Sequence, residues 1–233
     1  KLNKTKIFWL SKINRVKKLP SIFIANEFFD ALAIRQFEKK NNLWFEKFVN
    51  LEDRNKAFFF EKKRNIKIIE KKIKFNISHG QNFIEYSEYG FYYLRNISNI
   101  IKENKGGLLL IDYGYSEKKM KNSLQGVSNH KFANILSNIG KIDITHNICF
   151  DLYKRFIKKM GNLDCYLTNQ KEFLINMGIN ERAEIISKNK SFLKKSDIYY
   201  RLNRLINEKQ MGTLFKVMLI KNKKNKFKIG FKV

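Results

Sequence analysis

The stretch Ser21–Asn26 (SIFIAN), followed at once by the turn Glu27–Asp30 (EFFD), decides the fold of this chain. Its six residues are mostly apolar and come directly after Pro20, which is typical of a short buried strand. A second run of this kind, Leu108–Ile111, leads directly into Asp112–Gly114. The pattern therefore predicts two buried strands, each ending in carboxylate-containing residues.

Amphipathic segments separate and follow these strands. The apolar residues of Phe83–Ile101 and Phe150–Met160 have helical spacing, and Thr213–Ile220 is predicted as a final strand. Strands that alternate with helices indicate an α/β protein with a mostly parallel sheet. Because such sheets bind ligands beyond the carboxyl ends of their strands, Asn26–Asp30 and Asp112–Gly114 are expected to share one site.

Two further segments are predicted within a single domain. Residues 34–61 alternate aromatic and polar side chains around the polar tip Lys39–Asn42, which indicates an inserted β-hairpin. Residues 115–147 are rich in Ser, Asn and Gly and have little regular pattern. They are predicted to form a long loop at the active site.

The composition excludes several classes of protein. In 233 residues there are 43% hydrophobic residues and two cysteines. No apolar run approaches the roughly 20 residues of a membrane-spanning helix, so we expect no membrane insertion. Two cysteines cannot build a disulfide framework or a four-thiolate zinc site, and they indicate a reducing compartment.

The net charge of +27 raises the alternative of a nucleic-acid partner. Only nine of the 48 basic residues are arginines, although arginine is the usual residue for bidentate phosphate and guanine contacts. The lysines are also spread along the chain, as an A/T-rich genome alone would produce. Nucleic acid is therefore not the expected partner.

Six segments, in order, resemble motifs of the MidA family of methyltransferases. They are Ile24–Leu32, Leu110–Gly114, Ser123–Gly126 with His130, Asp143–Thr145, Gln170 with Phe173–Leu174, and Gln210–Val217. The chain departs from the family at Asn147, where the family has His, and at Cys149, where it has Asp.

The resemblance implies a class I methyltransferase fold, with a Rossmann-like, mostly parallel sheet and an antiparallel last strand. It also implies S-adenosyl-L-methionine as methyl donor and an arginine on a core subunit of respiratory complex I as substrate. Residues 1–233 would then be the C-terminal two-thirds of one domain, without the first strands of the sheet and their glycine-rich donor loop. We expect the chain alone to be inactive for that reason.

Site roles follow from the chemistry of an arginine substrate, whose guanidinium stays protonated. A carboxylate pair can hold it bidentately, and Glu27 and Asp30 would share a face if a helical turn begins there. We predict both as catalytic residues, with Asp30 as a helix cap the alternative for that residue. Asn26 is predicted to contact the cofactor. The predicted substrate-binding residues are Asp112, Tyr113, His130, Thr145 and Gln170, and no metal ligand is predicted.

Other functions stay open at this point. A non-catalytic factor for complex I assembly would keep the fold and transfer nothing, and a nucleic-acid methyltransferase is a more distant alternative. A homodimer is compatible with the sequence. The expected location is the bacterial cytoplasm or the mitochondrial matrix.

Overall fold

The computed structural model of the chain describes residues 6–53, 56–129, 131–137 and 140–231. The strands are β1 (Ser21–Asn26), β2 (Arg35–Lys40), β3 (Leu43–Asp53), β4 (Lys56–Arg64), β5 (Phe83–Tyr86), β6 (Gly106–Tyr115), β7 (Gln125–Ser128), β8 (Lys131–Ala133), β9 (Asp143–Thr145), β10 (Ile148–Cys149), β11 (Leu163–Asn169) and β12 (Phe215–Asn222). The helices are α1 (Ile66–Ile73), α2 (Glu88–Asn104), α3 (Phe150–Met160), α4 (Gln170–Asn176), α5 (Ile179–Ser187), α6 (Phe192–Ile206) and α7 (Met211–Leu214).

The central sheet has the order β1-β6-β12-β11, and β10 pairs with the end of β6. β1 runs parallel to β6, with Asn26 opposite Ile111. β12 runs antiparallel to both β6 and β11, so it alone opposes the common direction of the other four strands. The predicted α/β sheet with an antiparallel last strand is confirmed.

Helices α2 and α3 cover one face of this sheet. Leu108 and Leu110 of β6 point into that layer and are fully buried. Phe91 of α2 and Phe156 of α3 pack edge to face, with ring centroids 4.8 Å apart. This contact lies in the main hydrophobic cluster of the protein. Because both helices are amphipathic, burial of their apolar faces stabilises the sheet and fixes where its strands end.

The opposite face of the central sheet carries a much smaller apolar cluster. Val217 and Leu219 of β12 pack there with Phe231. This apolar cluster does not extend over β1, where Ile22 is 78% exposed and Ile24 is 71% exposed. Within the described residues, β1 pairs on one side only and is therefore an edge strand.

A second, antiparallel sheet has the order β4-β3-β2-β5. The predicted turn is present between β2 and β3, where Asn41 and Asn42 have φ values of 49° and 62°. Positive φ values at both residues of a two-residue turn match the twist of the two strands that the turn joins. The hairpin is thus part of a four-stranded sheet. The first residues of the predicted helix at 83–101 form β5 instead, because Ser87 caps α2 by accepting a hydrogen bond from the Gly90 amide.

The segment at 115–147 contains regular structure. β7 pairs with β8 and β9 in a small antiparallel sheet. The buried carboxylate of Glu85 accepts hydrogen bonds from the Gln36 amide at 2.6 Å and from the Ser123 amide nitrogen at 3.2 Å. One buried acid therefore joins the second sheet to this segment, which positions Thr145 near the end of the central sheet.

Two adjacent phenylalanines test this packing. Phe29 is fully buried, whereas Phe28 is 38% exposed. We predict that Phe29→Ala lowers the free energy of unfolding by about 3–5 kcal/mol, because it leaves a cavity in the core. The matched variant Phe28→Ala should lower it by less than about 2 kcal/mol. Urea denaturation of both variants measures the difference, and equal losses would contradict the packing described for Phe29.

Candidate functional site

The chain turns sharply where β1 ends. The Glu27 amide still donates to the Ile111 carbonyl at 3.0 Å, as if the strand continued. Glu27 itself has φ = 46°, a left-handed conformation that is uncommon for a residue with a side chain. This backbone conformation costs on the order of 1 kcal/mol or more, and residues held in this way cluster at functional sites. It leaves the Glu27 carboxylate at the exposed edge of the sheet.

Asp112, at the end of β6, holds this turn from beneath. Its Oδ2 accepts hydrogen bonds from the amides of Phe29 at 3.0 Å and Asp30 at 3.3 Å. Its Oδ1 accepts from the Tyr113 amide at 3.0 Å. Asp112 is fully buried, and its carboxylate faces these three backbone amides. In this structure the residue positions the Glu27–Asp30 turn, and its predicted contact with the substrate stays a prediction.

Asp30 is buried against Thr145, whose hydroxyl donates to Asp30 Oδ2 at 2.9 Å. Its other oxygen, Oδ1, is buried without a hydrogen-bond partner among the described residues. Residues 29–32 form bends and turns, so there is no helix here for Asp30 to cap. The helical face assumed for Glu27 and Asp30 is absent for the same reason. The turn held by Asp112 brings the two carboxylates to this edge instead.

Tyr113 lies beside Glu27 at the exposed end of the two strands. Its hydroxyl donates to Glu27 Oε2 at 3.2 Å, and its ring packs on Phe215 with centroids 4.2 Å apart. Burial, together with the negative charge of Glu27, raises the pKa of Tyr113 to about 12. The phenol therefore stays a hydrogen-bond donor at neutral pH and orients the Glu27 carboxylate.

The closeness of the acidic groups has an electrostatic consequence. Burial raises the pKa of Asp112 to about 7, and the adjacent negative charge of Asp30 adds to the effect. The three backbone amides oppose this rise, because they stabilise the charged carboxylate. A buried carboxyl group with a raised pKa, such as that of Asp112, is common where proton transfer or cation binding takes place.

The remaining predicted residues fall in different places. Asn26 is exposed at the end of β1, beside Glu27. Gln170 starts α4, after β11 at the far side of the sheet, and its amide donates to the Leu205 carbonyl at 2.9 Å, which is a structural role. His130 lies outside the described residues. Thus Glu27, Asp30, Tyr113 and Thr145 come together with Asn26.

His146 is the residue that sequence reasoning missed. Its ring is buried, and its Nε2 has no partner among the described residues. It follows Thr145 directly, so the segment that ties down Asp30 also brings in the imidazole. The signal that could have revealed it lies in the motif that begins at Asp143. The family has a histidine at the position of Asn147, and this chain has its histidine one position earlier, at His146.

The polar groups at this edge fit part of a cationic donor such as S-adenosyl-L-methionine. The exposed Asn26 amide and the Glu27 carboxylate can accept hydrogen bonds and face a positive charge. Gly114 does not form a cradle for a ligand, because a Cβ there would lie 2.4 Å from the Ile148 carbonyl oxygen. The missing side chain of Gly114 allows β10 to pack against β6. The described residues form one side of a donor-binding site.

Comparison with known proteins identifies the class. Residues 1–168 match the family described as "Putative S-adenosyl-L-methionine-dependent methyltransferase". The chain belongs to this family of methyltransferases. The predicted family and its S-adenosyl-L-methionine dependence are confirmed.

Individual relatives carry a more specific name. The chain is 32% identical over 189 residues to the "Protein arginine methyltransferase NDUFAF7 homolog, mitochondrial" of Caenorhabditis elegans, which covers 77% of this chain and 43% of the relative. The NDUFAF7 protein of Danio rerio is 25% identical over 233 residues, covering 93% and 51%. The chain spans about half the length of these curated relatives.

Two crystal structures from Burkholderia thailandensis share the fold. One, of an uncharacterized protein, has a TM-score of 0.74 at 21% identity and covers 94% of this chain and 60% of its own. The other, a member of the same superfamily bound to S-adenosyl-homocysteine, has a TM-score of 0.71 at 20% identity and covers 97% and 57%. The class I methyltransferase fold predicted from the sequence agrees with both.

The raised pKa of Asp112 predicts a pH-dependent stability. An unfolded aspartate loses its proton near pH 4 and the folded Asp112 near pH 7, so between these values the folded protein binds more protons. The free energy of unfolding therefore decreases as the pH rises through this window. Asp112→Asn removes this titration.

As the pH rises from 5 to 8, the free energy of unfolding of Asp112→Asn should increase by about 2–3 kcal/mol relative to that of the unsubstituted protein. Urea denaturation at both pH values measures this double difference. Glu103→Gln, an exposed acid on α2, is the matched control and should show no such gain. If the free energies of unfolding of Asp112→Asn and the unsubstituted protein differ by the same amount at pH 5 and at pH 8, the raised pKa assigned to Asp112 is contradicted.

Proposed function

We propose that the protein is a protein arginine N-methyltransferase that uses S-adenosyl-L-methionine and acts on a core subunit of respiratory complex I. The observation that carries the proposal is the pair of carboxylates at the carboxyl edge of the central sheet. Glu27 is exposed there and held by Tyr113, and Asp30 has a carboxylate oxygen without a partner among the described residues. The names of the relatives support the choice of arginine.

A guanidinium group is the ligand that this pair fits. It is planar, keeps its charge at neutral pH and offers several N–H donors. Glu27 accepts two of these in a bidentate hydrogen-bonded pair, and Asp30 Oδ1 accepts from the nitrogen that lies deeper. Both carboxylates thereby fix the orientation of the substrate nitrogen, which is the main requirement for an in-line displacement.

The bound donor supplies a methyl group on a positively charged sulfur. The contribution of this chain is to hold two cationic groups side by side, which is unfavourable unless negative charge compensates. Glu27 and Asp30 provide that charge in a protein whose overall charge is +27. Fixed carboxylates at the reacting centre stabilise the transition state without needing to reorganise.

The finer assignments are part of the same proposal. The substrate subunit and its arginine, a homodimer, and a location in the mitochondrial matrix or bacterial cytoplasm remain predictions. The relatives are called mitochondrial, which supports the first of these locations. Within the described residues no helix is both long enough and apolar enough to cross a bilayer.

The test is transfer of a radiolabelled methyl group by the complete protein to purified complex I subunits, with methylarginine identified by amino-acid analysis. We expect label in a single subunit. Donor binding measured by calorimetry in parallel separates the alternatives. A protein that binds a complex I subunit but neither donor nor label would be a non-catalytic assembly factor.

Glu27→Gln in the complete protein tests the role of the exposed carboxylate. We predict at least a tenfold loss of kcat, about 1.4 kcal/mol or more, because the neutral amide cannot compensate the charge of the guanidinium. Affinity for the donor and thermal stability should stay near those of the unsubstituted protein. Glu103→Gln is again the control, and unchanged turnover of Glu27→Gln would remove Glu27 from the active site.

A further inference from the structure

The turn between α5 and α6 carries large apolar side chains that face solvent. Phe192 is 83% exposed and Leu193 is 79% exposed, and Ile185 and Ile186 at the end of α5 are exposed as well. None of the 15 residues of α6, all of which the structure describes, is buried. Adjacent exposed apolar groups of this kind mark a surface that meets a partner or a membrane.

Four lysines surround these apolar groups, and no acid lies among them. Residues 185–195, which we call the basic tip, have the sequence IISKNKSFLKK and contain Lys188, Lys190, Lys194 and Lys195. The next acid along the chain, Asp197, pairs with Arg201 at 3.0 Å. Within the described part of the chain the four lysines form no ion pair, so their charges stay available to an anionic partner.

Backbone hydrogen bonds fix the shape of the basic tip. The Lys188 amide donates to the Glu184 carbonyl at 3.1 Å. The Lys190 amide donates to the Ser187 carbonyl at the same distance. Asn189, between the two lysines, has φ = 58°, a left-handed conformation that asparagine tolerates. Because the turn has its shape before any partner binds, little conformational entropy is lost on binding.

The basic tip is separate from the candidate site. Helices α5 and α6 pack on α4, which follows β11. Strand β11 is at the opposite edge of the central sheet from β1, where the Glu27–Asp30 turn lies. A role for the basic tip therefore does not depend on the proposed methyl transfer.

We propose that the basic tip binds the surface of an anionic lipid bilayer. Phe192 and Leu193 enter the region between the headgroups and the acyl chains, and the four lysines contact lipid phosphates. Lysine suits this place, because its long apolar stem lies beside buried groups while its ammonium stays in the polar layer. The protein lies on the membrane in this arrangement, and no helix has to cross it.

The shape and composition of the basic tip favour a bilayer over a nucleic acid. A turn that joins two packed helices is convex, and a bilayer can deform around it. Nucleic-acid surfaces favour arginine and aromatic rings on which bases stack, whereas the basic tip has no arginine and three of its four apolar groups are aliphatic.

Sedimentation of the complete protein with lipid vesicles tests the proposal. The vesicles consist of phosphatidylcholine alone or of phosphatidylcholine with about one-third of the anionic lipid phosphatidylglycerol. We expect binding to the anionic vesicles only, and a steep loss of affinity as added salt screens the charges. Absence of binding to the anionic vesicles at low salt would overturn the proposal.

Matched variants separate the basic tip from the general charge of +27. Each lysine near an anionic surface strengthens binding about fivefold, so replacing the four tip lysines by glutamine should weaken binding at least about tenfold. The control replaces four exposed lysines elsewhere by glutamine, at Lys63, Lys71, Lys158 and Lys209. Both variants lose the same charge, so an equal loss of affinity would overturn the basic tip as the binding site.

The apolar part of the contact has its own pair of variants. Phe192→Ser should weaken vesicle binding about fivefold or more, because an apolar ring no longer leaves water. Phe132→Ser on β8 is the control, since Phe132 is likewise 83% exposed, and it should bind as the unsubstituted protein does. Unchanged binding of Phe192→Ser would contradict its entry into the bilayer.

An acidic protein is the other partner that these experiments detect. If the basic-tip variants bind vesicles normally but raise KM for a methylated protein substrate, the basic tip binds that protein and the membrane proposal is wrong. Loss of vesicle binding with kcat and KM unchanged would instead support a membrane contact that is separate from the active site.

Discussion

The site depends on one carboxylate that accepts hydrogen bonds from backbone amides. Asp112, at the end of β6, binds the amides of Phe29 and Asp30 just beyond β1. These bonds connect the ends of two parallel strands after their regular pairing has stopped, and they hold the backbone of the turn rather than a flexible side chain. Buried charge-assisted hydrogen bonds of this kind are among the stronger ones in proteins. The position of Glu27, and its contact with Tyr113, follow from this arrangement.

The same interaction places two carboxylates close together in the interior. Asp112 needs to be charged to bind the amides well, but burial and the neighbouring Asp30 both favour its protonated form. Thr145 satisfies one oxygen of Asp30, and the second oxygen keeps its capacity to accept. A cation bound at this edge would relieve the repulsion between the acids. The site is therefore more stable when occupied by a positively charged group, and folding is linked to ligand charge.

The sequence predicts the architecture well because apolar periodicity and strand-end polar residues are local signals. β1 and α3 lie within the bounds that their patterns predict, Ser21–Asn26 and Phe150–Met160. The direction in which the Asp112 carboxylate points is not a local property of the sequence. It depends on backbone amides that lie 82 and 83 residues away in the chain. The buried imidazole of His146 is likewise brought in by packing. A polar residue at a strand end indicates a site, but the fold alone determines whether it contacts the ligand or the protein.

The left-handed conformation of Glu27 has a consequence for evolution and protein engineering. A glycine at this position would adopt φ = 46° without the steric penalty that a side chain brings. Selection for thermal stability alone would therefore favour replacing the glutamate, and the variant would keep the fold while losing its exposed carboxylate. If Glu27 holds the substrate guanidinium as proposed, its carboxylate explains why a side chain stands at a backbone position that suits glycine.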